Sequence, residues 1–318
     1  MAYTLLNTNC FDWLASRQAN SIHAVVTDPP YGLIEFSEKE RGILRNEHRG
    51  GVWRIPPKLN GVVRDPLPRF TILSEMEKAN LRNYMRDWAI TLAPTLVPGA
   101  HVCIAGNASL QYLVQSAMAE AGFEVRSAIM RLYVGLRGGD RPKLAEKEFP
   151  AVCVTPRGGY EPWMLFRKPI AERTVAENLR RWGTGGLRRL AGEKPLPDVI
   201  QSTRTPDIEA NLAKHPTMKP QHLLRILVRA MLPCAEGVVL DTFAGSGSTL
   251  AAAEAIGYES IGTELDAHYY EEATRLIPLL AKMYPGLTGA SLEQPSALVE
   301  AANMPRKQPK RSPQHSLI

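Results

Sequence analysis

Four consecutive residues, Asp28-Pro29-Pro30-Tyr31, directly follow the apolar run Ala24-Val25-Val26. A β-branched run that ends in Thr-Asp-Pro-Pro is typical of a buried strand that stops abruptly. The two prolines donate no backbone N–H and fix φ, so the chain leaves the strand along a stiff path. A carboxylate, a backbone carbonyl and an aromatic ring would then lie together at the carboxyl end of a strand, where open α/β sheets bind ligands. These groups suit a flat molecule whose –NH2 group is about to lose a proton.

A second motif, Val238 to Thr249, predicts a buried strand, a small-residue turn and the start of an Ala-rich helix. Gly245 and Gly247 would let the backbone approach a ligand closely, and the helix N-terminus offers free N–H groups. A Walker A loop requires a Lys that this turn lacks, and a dinucleotide fingerprint requires a small residue where Leu250 stands. A nucleotide cofactor without a pyrophosphate remains. Glu264, at the tip of the next predicted strand, is placed to accept both hydroxyls of a ribose.

These two motifs resemble those of the S-adenosylmethionine-dependent DNA amino-methyltransferases, in the β order in which the catalytic motif precedes the cofactor motif. A third segment, His215-Pro216-Thr217-Met218-Lys219-Pro220, is similar to the family's His-Pro-Thr-x-Lys-Pro segment. The resemblance runs from about Leu5 to about Leu280. Where family members often carry Gly-Asp near the start, this chain has Thr8-Asn9, and Asn can still hydrogen-bond a purine edge. Two further segments are similar to those of phage and bacterial members: Glu161-Pro162-Trp163 with Arg167-Lys168-Pro169, and Arg181-Trp182-Gly183-Thr184-Gly185.

The resemblance implies methyl transfer from S-adenosylmethionine to the exocyclic N6 of an adenine that is flipped out of double-stranded DNA. Asp28 and the carbonyl of Pro29 would accept the amine hydrogens, Pro30 would stiffen the turn, and Tyr31 would stack on the base. Asp266 is interpreted as a helix cap. The implied cofactor-binding residues are Asn9, Thr217, Lys219, Asp241, Phe243, Gly245, Gly247, Ser248 and Glu264, and no metal is implied.

Several alternatives stay open at this point. In the family, Asp at the first catalytic position usually goes with adenine and Ser with cytosine N4, so cytosine-N4 methylation is the nearest alternative to adenine. A second alternative is a catalytically silent, cofactor-binding DNA-binding protein. Pro233-Cys234 is similar to the nucleophile of cytosine carbon-5 methyltransferases, but it precedes the cofactor strand, and we expect a buried thiol there. A partner restriction endonuclease and a homodimer are both open.

Bulk properties agree with a globular protein that meets nucleic acid. The 318 residues include 22% charged and 44% hydrophobic residues, which is ordinary for a soluble chain. The formal net charge of +6 fits a DNA partner. The sequence contains no apolar leader and no run of membrane-spanning length, so we expect a cytoplasmic, bacterial or phage-encoded protein with no membrane partner. Its four cysteines form no C-x-x-C pair, which favours reduced thiols.

The alternation of strand and helix patterns predicts an α/β fold with a doubly wound, mostly parallel sheet, of the Rossmann-like class I methyltransferase type with a circularly permuted motif order. Residues 1–284 would form the methyltransferase domain, with strands near 127–134 and 151–155 and an irregular loop near 33–71. Regularity fades near 158–213, where we expect a DNA-recognition insertion. Basic residues mixed with aromatics and glycines suit phosphate contact there, and the candidates are Arg180, Arg181, Arg188 and Arg189. Residues 285–318 would form a disordered basic tail.

Overall fold

The computed structural model describes residues 2–30, 58–59, 62–63, 73–132, 141–142, 144–212 and 218–292. Some predictions therefore lie outside the described residues. They concern Tyr31, Thr217, most of the loop near 33–71, and the tail from residue 293 onward.

The described residues form ten strands and eight α-helices. The strands are β1 Tyr3–Asn7, β2 Ile22–Thr27, β3 Lys58–Leu59, β4 Val62–Val63, β5 Leu96–Ala105, β6 Glu124–Leu132, β7 Tyr160–Arg167, β8 Val199–Gln201, β9 Val238–Asp241 and β10 Glu259–Glu264. The helices are α1 Cys10–Ser16, α2 Glu75–Leu92, α3 Gln111–Glu120, α4 Val175–Trp182, α5 Asp207–Ala210, α6 Gln221–Met231, α7 Ser248–Ala255 and α8 Ala267–Lys282. Two short 3-10 turns lie at Ala93–Thr95 and Ala191–Glu193.

Eight of these strands form one sheet in the order β1-β10-β9-β2-β5-β7-β6-β8, and β3 pairs with β4 in a separate hairpin. Within the sheet, β7 runs antiparallel to its neighbours β5 and β6, and the remaining pairs are parallel. The mostly parallel α/β sheet predicted from the sequence is confirmed. Strands β5 and β6 run in the same direction and are joined by the crossover helix α3, and β7 inserts between them antiparallel to both.

Helices cover both faces of the sheet, as a doubly wound fold requires. Strand β2 shows why: Val25 packs in one core with α2 and α3, whereas Ala24 and Val26 pack in a second core with α6. Successive side chains of a strand point to opposite faces, so an uninterrupted apolar run marks a strand that is buried on both sides. That is the pattern on which the buried strand was predicted.

The chain changes its winding direction between β2 and β9. From β9 it proceeds to the neighbouring β10, whereas from β2 it proceeds to β5 on the other side. Adjacent parallel strands whose connections leave in opposite directions open a crevice at their carboxyl ends, which is where ligands bind in this class of fold. The two motifs singled out in the sequence follow these two strands.

Several local predictions are wrong. Residues 151–155 form no strand, and the strand that pairs with β5 on the side away from β2 is β7, inside the segment predicted to be irregular. The Trp163–Phe166 stretch of β7 is buried in the sheet. Cys234, expected to be buried, is exposed. The predicted tail boundary at residue 285 is too early, because Leu287 is buried and its carbonyl accepts a hydrogen bond from Arg225 at 3.0 Å.

The described part of the chain contains no helix with the length and apolar character needed to cross a bilayer.

Candidate active site

A hydrogen bond joins the two strands whose carboxyl ends form the crevice. The Thr27 hydroxyl, at the end of β2, donates to Oδ1 of Asp241 at the end of β9, at 2.6 Å. Asp28 follows Thr27 directly and is half-buried, with Pro29 buried and Pro30 exposed behind it. The catalytic motif and the glycine turn therefore start from one fixed point of the sheet.

The glycine turn is held by two carboxylates. Asp241 Oδ1 accepts the N–H of Phe243 at 3.1 Å, as expected of a residue that holds the turn. Burial, and to a smaller extent the nearby charge of Asp28, raise the pKa of Asp241 to about 6 against the lowering effect of hydrogen bonds from Thr27 and Thr249. From β10, Glu264 Oε2 accepts the N–H of Gly245 at 2.7 Å. Both strands thus contribute an acid to the shape of this turn.

The glycines of the turn have different roles. Gly245 and Gly247 both adopt positive φ, of 50° and 76°, which favours glycine. A Cβ on Gly247 would lie 2.5 Å from the Ile277 side chain of α8. Gly247 is therefore needed for the packing of the turn on α8, and not only for close approach to a ligand.

The turn and the catalytic motif line one pocket. It opens to solvent, and its empty space is about 350 Å³ when the open solvent at its mouth is counted. Four parts of the chain meet in it: Asp28 from the catalytic motif, Trp163 from β7, Lys219 from the third motif, and the turn that leads into α7. The lining residues are Asp28, Trp163, Met218, Lys219, Leu224, Asp241, Phe243, Ala244, Gly245, Ser246, Ser248 and Thr249.

Lys219 lies between two carboxylates at the base of this pocket. Its Nζ is 2.7 Å from Asp28 Oδ2 and 3.1 Å from Glu161 Oε1. Burial lowers the pKa of Lys219, but the two carboxylates outweigh burial and raise that pKa above its ordinary value. The lysine is therefore a fixed positive charge beside Asp28.

Two predicted cofactor residues, Glu264 and Asn9, are not among the residues that line the pocket and lie near each other at the carboxyl ends of β10 and β1. Glu264 also accepts the N–H of Asp266 through Oε1, at 2.9 Å, so both oxygens of its carboxylate hold backbone groups. Asn9 is exposed and caps α1, its Oδ1 accepting the N–H of Phe11 at 2.9 Å. Asn9 lies on the same edge, because Thr8 donates to the Glu264 carbonyl at 3.0 Å. The predicted cap at Asp266 is confirmed: its side chain accepts from the N–H groups of His268 and Tyr269.

Phe243 packs against aromatic residues of α2. Its ring centroid is 6.0 Å from that of Trp88 and 6.4 Å from that of Tyr84. Trp88 Nε1 donates to the Thr242 hydroxyl at 3.2 Å. Helix α2 therefore fixes the outer wall of the pocket beside the glycine turn.

The four arginines predicted to contact DNA lie at the other end of the sheet. Arg180 and Arg181 lie on α4, which is tied to the amino-terminal half of β5 by the bond from Asn178 Nδ2 to the Pro98 carbonyl at 2.9 Å. Ile104 of β5 is the register partner of Thr27, at the pocket end of the sheet. From Pro98 to Ile104 the strand is about 20 Å long. The structure therefore does not bring Arg180 and Arg181 to the pocket.

Arg188 and Arg189 lie near the end of α6 and hold local structure. The backbone N–H of Arg188 donates to the Ala230 carbonyl at 2.8 Å, and its Nη1 donates to the Tyr258 hydroxyl at 2.6 Å. Nη1 of Arg189 donates to the Glu193 carbonyl, also at 2.6 Å. These contacts also lie at the amino-terminal end of the parallel strands.

Sequence reasoning missed three residues of the site. Glu161 and Trp163 were noted as part of a similar segment but received no role, although Trp163 lines the pocket. Arg131 gave no signal at all, because a single arginine in a strand-like run is usually exposed, whereas this side chain is 5% exposed. Its partner, Glu161, is 30 residues away in sequence, and Arg131 Nη1 donates to Glu161 Oε2 at 2.9 Å.

Comparison with known proteins agrees with this geometry. The family model described as DNA methylase (N6_N4_Mtase) matches residues 22–275. Two curated relatives are the type II methyltransferase M2.DpnII of Streptococcus pneumoniae, 23% identical over 85% of this chain and 88% of the relative, and the type II methyltransferase M.HindIII of Haemophilus influenzae, 21% identical over 85% and 93%.

Solved structures show the same fold. TTHA0409 of Thermus thermophilus, described as a putative DNA modification methylase, aligns with a TM-score of 0.55 at 21% identity, covering 89% of this chain and 97% of that protein. PvuII DNA methyltransferase, described as cytosine-N4-specific, aligns with a TM-score of 0.55 at 15% identity over 92% and 94%. A complex of M1.HpyAVI with SAM aligns with a TM-score of 0.53 at 16% identity over 86% and 98%. At these identities the alignments establish the architecture of the sheet and helices.

Proposed function

The chain belongs to the DNA methylase family, and we propose that it moves a methyl group from S-adenosylmethionine to the exocyclic N6 of an adenine in double-stranded DNA. The observation that carries this proposal is that Asp28 and the glycine turn line one pocket at the carboxyl ends of β2 and β9. An acceptor for an amine and a cradle for a cofactor are thereby placed within reach of each other. An enzymatic role is also favoured by the type II methyltransferase names of the relatives.

The pocket residues fit S-adenosylmethionine. The turn from Thr242 to Gly247 presents backbone groups ahead of α7, and Glu264 stands at the tip of β10, where a ribose would lie. Phe243 would pack beside the methionine part, and Ser248 and Thr249 would offer hydroxyls. Asn9 and Thr217 remain proposed cofactor contacts. When bound, the cofactor supplies an activated methyl group on a sulfonium.

The chain's own residues would orient the amine. An exocyclic amine of a base is a poor nucleophile because its lone pair is delocalised into the ring. Asp28 and the Pro29 carbonyl would accept its hydrogens and localise the lone pair toward the methyl group. Holding the two reactants in line can contribute several kcal/mol of the barrier, roughly 7–11 in well-oriented systems. Pro30 would stiffen this turn, and Tyr31 would stack on the base, which is worth roughly 1–3 kcal/mol.

The duplex would approach the edge of the sheet that carries Asp28, because the flipped base must reach that residue. Strands β6 and β8 run in the direction of β2 and end at this edge, so the connections from β6 to β7 and from β8 to α6 both start there. Exposed basic side chains on them, Lys147, Arg157 and Arg204, are suited to phosphate contact. We propose these residues, rather than Arg180, Arg181, Arg188 and Arg189, as the main described contacts near the flipped base.

The relatives' type II names lead us to propose a bacterial or phage restriction–modification context, with an endonuclease that reads the same DNA sequence. The protein would then act in the cytoplasm, where the host DNA is.

The test is methylation of unmodified genomic DNA by the purified protein with S-adenosylmethionine, followed by mass spectrometry of the nucleosides. N6-methyladenine is expected from the wild type. Asp28→Ala should abolish it while cofactor binding, measured by calorimetry, persists. Detection of N4-methylcytosine instead of N6-methyladenine would support the cytosine-N4 alternative. Cofactor binding without any modified nucleoside would favour a catalytically silent DNA-binding protein.

A further inference from the structure

Lys219, the positive charge beside Asp28, belongs to a buried network of four residues from four separate parts of the chain. Arg131 on β6 and Glu161 on β7 are register partners in the sheet, and their side chains form an ion pair at 2.9 Å. Lys219, two residues before α6, bridges Glu161 to Asp28, which follows β2. The side chains are 5%, 12%, 10% and 20% exposed for Arg131, Glu161, Lys219 and Asp28. Two acids and two bases balance in charge, as buried ionic groups require.

Glu161 is fixed more tightly than the ion pairs alone would achieve. Its Oε2 accepts from Arg131 Nη1 and, at 3.1 Å, from Nε1 of Trp163, while its Oε1 faces Lys219. Arg131 in turn donates to the Thr203 carbonyl at 2.6 Å and the Ser202 hydroxyl at 3.2 Å. Burial raises the pKa of Glu161, but the charges of Lys219 and Arg131 outweigh burial and lower it overall. Glu161 is therefore a permanent anion aimed at Lys219.

Lys219 lines the pocket, and its ammonium group is engaged by two carboxylates there, those of Asp28 and Glu161. An ammonium group at one oxygen of a carboxylate restricts where that oxygen can lie, through a short charge-assisted hydrogen bond. Because Arg131 and Glu161 are anchored in adjacent strands, the direction of that contact is set by the sheet.

We propose that Lys219 and Glu161 are positioning residues for methyl transfer: Glu161 holds Lys219, and Lys219 holds the Asp28 carboxylate in the orientation that receives the amine. The inference rests on the proposed function and assigns Lys219 to the catalytic motif rather than to the cofactor. Neither residue needs to touch the base or the cofactor for this role.

The experiment compares Lys219→Met, Glu161→Gln and the double variant with wild type. For each protein, kcat and the KM for DNA are measured together with the Kd for S-adenosylmethionine and the Tm. We expect kcat to fall by about 10- to 100-fold in each single variant, since small misplacements of a catalytic group have effects of that size. The Kd for the cofactor should stay within about twofold. The double variant should be no slower than Lys219→Met, because Glu161 acts through Lys219.

The matched control lies at the other end of the same two strands. Glu124 and Arg167 are also register partners on β6 and β7 and form an ion pair at 2.7 Å, far from the pocket. Glu124→Gln should leave kcat at the wild-type value, so a loss of kcat in Glu161→Gln but not in Glu124→Gln supports the proposal. Should Lys219→Met fail to fold, Glu161→Gln against this control carries the test.

Two results would overturn the inference while leaving the proposed function intact. One is a wild-type kcat in Glu161→Gln and Lys219→Met. The other is a weakened cofactor Kd with unchanged kcat, which would place Lys219 in the cofactor site. If the wild-type protein binds the cofactor but methylates no DNA, the proposed function is wrong, and this inference fails because it rests on that function.

Discussion

The Thr27 hydroxyl donates a hydrogen bond to the Asp241 carboxylate at 2.6 Å, and this contact joins the strand that delivers Asp28 to the strand that delivers the glycine turn. The two residues are 214 positions apart in sequence. Both are almost completely buried. The bond therefore fixes, within the sheet itself, the relative position of the groups proposed to hold the amine and the methyl donor.

Thr27→Val tests this coupling, because valine keeps the shape of threonine and removes only the donor. Asp241 would keep its other hydrogen bonds but lose one at a buried oxygen, which should cost about 1–3 kcal/mol of unfolding free energy. We also expect a lower kcat, because Asp28 adjoins the altered residue. Urea unfolding and steady-state methylation assays measure the two effects.

A control for that prediction is Thr95→Val. Thr95 is equally buried, and its hydroxyl donates to the Leu92 carbonyl at 2.8 Å, away from the pocket. This variant should lose stability and keep its specific activity. Equal losses of activity in both variants would show that Thr27 matters for stability alone.

Glu264 offers a second test, since its carboxylate has two backbone partners. Glutamine has one oxygen, so Glu264→Gln would place an NH2 group against the N–H of either Gly245 or Asp266. A hydrogen bond to a charged group contributes about 1.5–3 kcal/mol. We therefore expect the Kd for S-adenosylmethionine to rise by about 10- to 100-fold in calorimetric titration.

Glu254→Gln is the matched control for this variant. Its Oε2 also accepts a backbone N–H, that of Ala2, at 2.7 Å, but at the far end of α7. It should bind the cofactor as wild type does. A wild-type Kd in Glu264→Gln would contradict a role for Glu264 in either the turn or the ribose site.

Local patterns were sufficient to predict the elements that carry the chemistry. The apolar run before Asp28 and the turn around Gly245 each determine their own strand and turn, since burial on both faces and positive φ act over a few residues. The adjacency of β2 and β9 follows from the doubly wound class once the strands are known. These are the parts of the site that a single sequence encodes locally.

The rest depends on long-range pairing. The antiparallel insertion of β7 between β5 and β6 is set by the register of Arg131 with Glu161 and of Glu124 with Arg167. No local rule relates residues so far apart, so β7 was mistaken for part of an irregular segment. The same limit explains the arginines: a basic, glycine-rich composition predicted contact with DNA, but composition does not determine which edge of the sheet a segment occupies.

The proposal that DNA approaches the edge of the sheet carrying Asp28 predicts which arginines affect DNA binding. Arg157→Ala with Arg204→Ala should weaken DNA binding and flatten the dependence of log K on log salt by about 0.9 for each phosphate that the variant no longer neutralises. Arg180→Ala with Arg181→Ala, on α4, should leave both quantities near wild type. Fluorescence anisotropy over a salt series measures them. The reverse ranking would restore Arg180 and Arg181 as the main DNA contacts.

A final prediction concerns the pH dependence of stability and Glu209 on α5. This fully buried carboxylate accepts the N–H of Gln221 at 3.0 Å, at the start of α6. Burial raises its pKa from 4.5 to about 7, against the lowering effects of that hydrogen bond and of Arg225. The unfolded chain therefore loses this proton near pH 4.5, whereas the folded protein keeps it until about pH 7.

Because the folded state binds the proton more tightly, Glu209 lowers the free energy of unfolding progressively as the pH rises from about 4.5 to about 7. Above that range the loss stays constant. Glu209→Gln removes the titration and keeps an oxygen for Gln221. Relative to wild type, the unfolding free energy of the variant should therefore be higher at pH 8 than at pH 4.5, by up to about 3 kcal/mol. Urea unfolding at both pH values measures it, with the exposed Glu271→Gln as a control that should show no such shift. A difference that stays constant with pH would mean that Glu209 ionises in the folded protein as readily as in the unfolded chain.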